Sequence, residues 1–154
     1  MVYDGCRALD GVCDHQPSPV AKRRLLVVDD DTGDLYLAKR GFEEDGFEVE
    51  TFRAYTEQDL ANFVEEIVTG SYDLILLDTM VGLLYGPTDI VNTIKSSGID
   101  VPYIGWTGTP NPEHDTKWRE AGARDVMIKP NNRSGYPDLG TRIRSHLSCH
   151  CKKP

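Results

Sequence analysis

Cysteine is scarce in this sequence and is confined to its two ends. Of the 154 residues, 4 are cysteine, and they are Cys6, Cys13, Cys149 and Cys151. A small domain that depends on disulfides carries cysteines throughout its loops, whereas the middle of this chain carries none. We therefore expect a core that folds without disulfides.

Long apolar runs are also missing. A membrane-spanning helix needs about eighteen or more consecutive apolar residues, and no stretch of the chain approaches that length. The N-terminal segment carries scattered acids, which a secretory signal would lack. These two absences predict a cytoplasmic protein that has no membrane partner.

Positive charge is in short supply. The chain has 17 Lys and Arg against 25 Asp and Glu, a formal net charge of −8. Binding to the phosphates of nucleic acid requires clustered basic side chains. The one short basic cluster, Lys22-Arg23-Arg24, abuts a predicted strand. We therefore expect no direct nucleic-acid partner.

Apolar runs alternate with amphipathic segments through most of the chain. Continuous runs such as 25–28 and 74–77 are typical of strands buried on both faces, and each run is followed by a helical pattern. Five such pairs predict an α/β domain over residues 23–148. The expected fold is a flavodoxin-like, doubly wound, five-stranded parallel sheet of order 2-1-3-4-5 with five helices.

The segments outside this domain show no periodicity. We expect residues 1–22 to be an N-terminal extension, either flexible or packed at the pole of the sheet opposite the polar strand ends. Residues 149–154 form a short tail with Cys, His and Lys. The four tail cysteines could bind Zn²⁺ or form a disulfide, but their spacing differs from the usual zinc knuckles, and disordered tails are the third alternative.

Polar side chains follow four of the predicted strands. Asp29 and Asp30 follow the first strand, Asp78 the third, Thr107 the fourth and Lys129 the fifth. Each residue alone has an ordinary explanation as a helix cap or turn residue. Because the carboxyl ends of parallel strands meet at one edge of the sheet, we expect these side chains to lie close together.

This combination indicates phosphoryl chemistry on a carboxylate. A cluster of acids needs cations, and an oxygen-rich cluster suits Mg²⁺ or Mn²⁺, which bridge readily to phosphate. A carboxylate beside a divalent cation and the ammonium of Lys129 can attack a phosphoryl group, because both cations offset charge on the transferring oxygens. The product is an acyl phosphate.

Five short segments resemble the signature segments of response-regulator receiver domains, over roughly residues 23–147. They are Val27-Val28-Asp29-Asp30, Leu76-Leu77-Asp78, Thr107-Gly108, Ala121-Gly122-Ala123 and Ile128-Lys129-Pro130. The resemblance implies a phosphoprotein of a two-component phosphorelay, which takes its phosphoryl group from a histidine kinase or a histidine phosphotransfer protein. Such a domain catalyses its own phosphorylation and dephosphorylation and signals to a downstream protein target by conformational change.

The resemblance also assigns roles to individual residues. It implies that Asp78 is the phosphoacceptor and that Asp30 ligates Mg²⁺ directly, whereas Asp29 acts mainly through water. The backbone carbonyl of Met80 would complete the protein ligands. Lys129 would contact the phosphoryl group, and the bond from Lys129 to Pro130 is usually cis in this family.

The switch of the family is altered in this chain. Thr107 is expected to hydrogen-bond the bound phosphoryl group, and most receivers then move an aromatic residue inward three positions before the lysine. That position is Val126 here.

Because this aromatic residue is missing, the alternative function is a receiver-like module that binds proteins without being phosphorylated. A haloacid-dehalogenase-type hydrolase is disfavoured because Met80 occupies the position of its second acid. His114 and His146 are expected to be surface residues.

Overall fold

The computed structural model describes residues 22–54, 56–78 and 87–147. The helices are α1 (Thr32–Glu44), α2 (Glu57–Gly70), α3 (Pro87–Ser96), α4 (Pro112–Ala121) and α5 (Tyr136–Leu147). The strands are β1 (Arg24–Asp29), β2 (Glu48–Arg53), β3 (Leu74–Asp78), β4 (Tyr103–Thr107) and β5 (Val126–Ile128). A short 3₁₀ turn at Arg133–Gly135 precedes α5.

The strands form one sheet of order β2-β1-β3-β4-β5, and every neighbouring pair is parallel. This is the predicted flavodoxin-like order. β1 and β3 lie in the middle of the sheet, so their side chains are buried on both faces, which explains their continuous apolar sequences. β2 lies at an edge, where only Val49 is buried and Phe52 is half-buried while its other residues are exposed.

Helices cover both faces of the sheet. One apolar core packs α1 and α5 against side chains of the strands, with Phe42, Trp106 and Tyr136 in mutual ring contact. The other core packs α2, α3 and α4 against the opposite face, where Trp118 is fully buried. Two such layers around a parallel sheet define the doubly wound arrangement.

Local sequence signals begin the helices that matter for the site. Asp31 caps α1, where its side chain accepts a hydrogen bond from the backbone N–H of Asp34. Asn111 caps α4 in the same way. The fixed helix starts hold the loops that follow β1 and β4 in defined positions.

A glycine in β4 allows α4 to approach the sheet closely. A Cβ atom at Gly105 would lie 2.7 Å from the ring of Trp118, which is closer than real Cβ contacts. Only glycine therefore lets the indole lie against this strand. Thr107 is the last residue of the same strand, two positions beyond this contact.

The expectation that His146 is a surface residue is confirmed only in part. His146 is not a plain surface residue, because its Nε2 atom lies 3.0 Å from Asp125 Oδ2 and its side chain is largely covered. Asp125 also accepts hydrogen bonds from Arg142. The helical pattern of α5 indicated which of its residues face the sheet. It did not indicate that His146 contacts Asp125, which precedes β5.

Among the described residues, no helix has the length and apolar character needed to cross a membrane.

Candidate functional site

The polar residues predicted from the strand ends meet at one edge of the sheet. Asp29, Asp78 and Thr107 are the last residues of β1, β3 and β4. Asp30 follows β1, and Lys129 follows β5. The backbone N–H of Lys129 donates to the carbonyl of Thr107 at 2.6 Å, which extends the pairing of β5 with β4 by one residue. The parallel topology thus brings together residues up to 100 positions apart in the sequence.

Three carboxylates form the centre of the site. Asp29, Asp30 and Asp78 each offer one oxygen, and these oxygens all lie within 4.8 Å of one another. Asp29 and Asp78 are buried, so their negative charges are poorly solvated and repel each other. An oxygen-only donor set of this kind fits Mg²⁺ or Mn²⁺, which prefer carboxylate ligands and retain water.

The ammonium of Lys129 partly neutralises these acids. Its Nζ atom lies 2.7 Å from Asp29 Oδ2, 2.9 Å from Asp34 Oδ2 and 3.0 Å from Asp78 Oδ1. Burial alone would lower the pKa of Lys129, but the hydrogen bond to Asp29 and the charges of Asp78 and Asp29 raise it above its usual value. The side chain therefore stays protonated at neutral pH.

The pKa of Asp78 is raised even though the ammonium of Lys129 lies beside it. The net pKa of Asp78 is about 7, because burial and the negative charge of Asp29 raise it more than Lys129 lowers it. The pKa of Asp29 is also raised, mainly by burial. A divalent cation at the cluster would favour the ionised form of both acids.

Asp34 is the member of the site that the sequence did not reveal. It stands at the third position of α1, where an acid is adequately explained by the positive end of the helix. Its contact with Lys129 joins residues 95 positions apart. The sequence does show that Asp34 lies about one helical turn beyond the strand-end acids. That its side chain contacts Lys129 could be seen only in the structure.

The hydroxyl of Thr107 has partners within its own loop. It donates a hydrogen bond to the carbonyl of Thr109 at 3.0 Å and accepts one from the backbone N–H of Thr109 at 3.3 Å. Val126 begins β5 and pairs with Gly105 of β4. A cavity of about 210 Å³ lies beside Thr107 and Val126. It is also lined by Ile128 and by the loop that leads into α4. The space next to Val126 is open.

The bond from Lys129 to Pro130 is trans, so the expected cis bond is wrong; the trans form is ordinarily favoured before proline by about 0.5–1 kcal/mol. The backbone carbonyl of Met80 lies outside the described residues. The tail cysteines also lie outside them.

The comparison with protein families agrees with this geometry. The family model of the response regulator receiver domain matches residues 25–137, and the chain therefore belongs to that family. The fold and the family together define the receiver domain of a two-component response regulator.

Individual relatives are similar over most of this chain. Transcriptional regulatory protein CusR of Escherichia coli K12 is 36% identical over 130 residues, which cover 80% of this chain and 51% of that protein. Transcriptional regulatory protein PcoR of Escherichia coli is 30% identical over 125 residues, with 81% and 51% coverage. The chain spans about half the length of the curated relatives it matches.

Solved receiver domains share the fold over nearly their whole length. A CheY-like response regulator receiver domain protein from Methanospirillum hungatei superposes with a TM-score of 0.66 at 26% identity, covering 82% of this chain and 94% of that one. The BeF3-activated receiver domain of DrrB gives a TM-score of 0.65 at 26% identity, covering 84% and 100%.

Proposed function

We propose that this receiver domain accepts a phosphoryl group on the carboxylate of Asp78 in a reaction that depends on Mg²⁺ or Mn²⁺. The observation that carries the proposal is the setting of Asp78, which lies in the three-acid cluster and 3.0 Å from the ammonium of Lys129. Phosphoryl transfer depends mainly on positioning and on stabilising charge, so a carboxylate between two cation positions suits it.

The transfer makes one bond and breaks one. A carboxylate oxygen of Asp78 bonds to phosphorus while the bond from phosphorus to the histidine nitrogen of the donor breaks, and the imidazole leaves. The donor would be a phosphorylated histidine on a histidine kinase or a histidine phosphotransfer protein. Hydrolysis of the acyl phosphate by water returns Asp78 to its starting state and ends the signal.

The residues around Asp78 have separate tasks in this proposal. Asp29 and Asp30 would hold the divalent cation together with Asp78. When bound, that cation offsets negative charge on the carboxylates and on the transferring oxygens. Lys129, which remains protonated because of its raised pKa, would donate a hydrogen bond to a phosphoryl oxygen.

Thr107 would report the phosphoryl group to the rest of the domain. Its hydroxyl donates to Thr109 in the present structure, so it must turn away from that carbonyl to donate to a phosphoryl oxygen. Val126 has no ring to follow this movement into the adjacent cavity. We propose that the loop from β4 to α4 carries the change to a downstream protein target.

For this chain we propose the step in which Asp78 receives the phosphoryl group. The relatives CusR and PcoR are named as transcriptional regulatory proteins. The predicted cytoplasmic location remains a prediction.

The decisive experiment is phosphorylation by a small donor. Purified protein is incubated with acetyl phosphate and Mg²⁺, and its intact mass is measured for the wild type and for Asp78→Asn. We expect a gain of one phosphoryl group per chain in the wild type, abolished by EDTA and by the substitution. Asp138→Asn removes an exposed acid from α5 and should be phosphorylated like the wild type.

An adduct that persists in Asp78→Asn would place the acceptor elsewhere. Absence of any adduct in the wild type, at Mg²⁺ concentrations where binding is measurable by calorimetry, would favour the alternative of a protein-binding module that is not phosphorylated.

A further inference from the structure

The ammonium of Lys129 is fully occupied. An ammonium group has three N–H donors, and three carboxylate oxygens, from Asp29, Asp34 and Asp78, lie within 3.0 Å of its Nζ atom. A phosphoryl oxygen can therefore bind Lys129 only if one of these carboxylates gives up its contact with the ammonium. Which carboxylate stays decides where the ammonium points during transfer.

Asp34 differs from the other two partners. Asp29 and Asp78 belong to the group of acids whose oxygens converge on a possible cation position, and Asp34 stands outside that group. A carboxylate committed to a cation is a weaker partner for an ammonium, because its charge is already offset. Once Asp29 and Asp78 are committed in this way, Asp34 would be the partner that Lys129 keeps.

The position of Asp34 is itself tied to the acid cluster. The backbone N–H of Asp34 donates to Asp31 Oδ1 at 2.9 Å, and the backbone N–H of Asp31 donates to Asp29 Oδ1 at 3.0 Å. Asp34 also lies in the first turn of α1, where the helix dipole favours a negative charge. The backbone of Asp34 is thus held close to the site, although the side chain is 41% exposed.

We propose that Asp34 is a positioning residue that holds the ammonium of Lys129 beside Asp78 while the cation and the phosphoryl group are bound. This inference rests on the proposed phosphorylation of Asp78 and adds the residue that orients its lysine. Loss of Asp34 leaves a long, flexible side chain without its fixed partner. It also leaves Lys129 to bind Asp29 and Asp78 more closely, in competition with a divalent cation.

The test compares Asp34→Asn with Asp34→Glu, which keeps the charge, and with Glu43→Gln. The last variant removes an exposed acid from the same helix, where it pairs with Lys39 rather than Lys129, and so controls for net charge. Two quantities are measured for each: the dissociation constant for Mg²⁺ alone by calorimetry, and the maximal rate of phosphorylation by acetyl phosphate at saturating Mg²⁺. Thermal unfolding checks that each variant folds.

For Asp34→Asn we expect the maximal rate to fall about three- to fivefold, in keeping with the small contribution of a partly exposed ion pair. The Mg²⁺ dissociation constant should rise about twofold or more by the same reasoning. Asp34→Glu should recover most of both losses. If Asp34 had a merely structural role, its substitution would lower the unfolding temperature. Asp34→Asn and Asp34→Glu would then not differ in maximal rate or in Mg²⁺ dissociation constant.

Equal rates and equal Mg²⁺ affinities in Asp34→Asn and Glu43→Gln would overturn the role of Asp34 and leave phosphorylation of Asp78 intact. If the wild type binds Mg²⁺ but accepts no phosphoryl group, the proposed function fails, and the affinities still decide whether Asp34 holds Lys129 away from the cation position. If the wild type does not bind Mg²⁺ either, both proposals fail.

Discussion

The ammonium of Lys129 lies 3.0 Å from Asp78 Oδ1 although the two residues belong to strand ends that are not neighbours in the sheet. Asp78 ends β3, and Lys129 follows β5, with β4 between them. The long lysine side chain spans this gap, so a single positive charge reaches the acids that follow β1 and β3. We therefore expect this contact to matter for stability and for the proposed phosphoryl transfer alike.

Removing this ammonium should destabilise the fold when no divalent cation is present. In Lys129→Met, we expect the free energy of unfolding at pH 8 to fall by about 1–3 kcal/mol, less than for a fully buried pair because Asp34 is partly exposed. Denaturation by urea in EDTA measures the change. Lys117→Met, exposed on α4, should have little effect. If Mg²⁺ did not reduce the difference in free energy of unfolding between the wild type and Lys129→Met, this account would be contradicted.

The stability of the metal-free protein should depend on pH through Asp78. The pKa of this carboxyl rises from 3.8 to about 7 on folding, so the folded chain holds a proton that the unfolded chain releases. The stabilisation is complete below pH 3.8 and is lost as the pH rises through about 7. We expect the free energy of unfolding in EDTA to decrease across this window, and urea denaturation at a series of pH values measures it.

Asp78→Asn is the matched variant for this pH dependence. Asparagine does not titrate, so the decrease should become shallower, and the part that remains is expected from Asp29, whose pKa is shifted in the same direction. An identical pH profile in Asp78→Asn and the wild type would show that Asp78 does not cause the slope.

Asp125 should be a structural centre of the surface formed by α4, β5 and α5. Its buried carboxylate binds Arg142 and His146, and although burial alone would raise its pKa, these hydrogen bonds lower it. We expect Asp125→Asn to lower the free energy of unfolding at pH 7 by about 1–3 kcal/mol. The loss should shrink as the pH falls through the depressed pKa, because a carboxyl of this kind stabilises only while it is ionised.

Asp115→Asn provides the comparison for Asp125. Asp115 forms an exposed pair with Arg119 on α4, and such pairs contribute about 0–1 kcal/mol. Equal effects of the two substitutions in chemical denaturation at pH 7 would argue against a central role for Asp125.

The close approach of α4 to β4 should be sensitive to one methyl group. In Gly105→Ala, the new Cβ would lie 2.7 Å from the ring of Trp118, and relief of this overlap should cost about 1–3 kcal/mol. Gly108→Ala is the control, because its Cβ would meet nothing within 4 Å. Chemical denaturation followed by tryptophan fluorescence measures both. Similar losses in the two variants would mean that the contact with Trp118 is not the cause.

Much of the fold follows from local sequence pattern. The buried strands are continuous apolar runs because they lie in the middle of a covered parallel sheet. Asp31 and Thr56 mark helix starts because their side chains satisfy backbone N–H groups that have no helical partner. The topology rule for strand ends then brings Asp29, Asp78 and Lys129 to one edge.

The contacts of individual side chains could not be predicted in this way. His146 was expected at the surface, yet it binds Asp125, which lies 21 positions away. The helical pattern indicates which face of α5 meets the sheet, but a contact at the border of that face depends on how α5 lies against β5. A small rotation of α5 about its axis would change this contact without changing the spacing of apolar residues in the sequence.

By itself, then, the sequence determined the order of the strands and the acids, hydroxyl and ammonium at their ends, because apolar period and strand-end position are local properties. The tertiary structure decided how these groups share charge. It placed Asp34 on Lys129, engaged the hydroxyl of Thr107 with Thr109 and raised the pKa of Asp78 to about 7. Those outcomes depend on distances and burial between segments far apart in the chain, and only packing sets them.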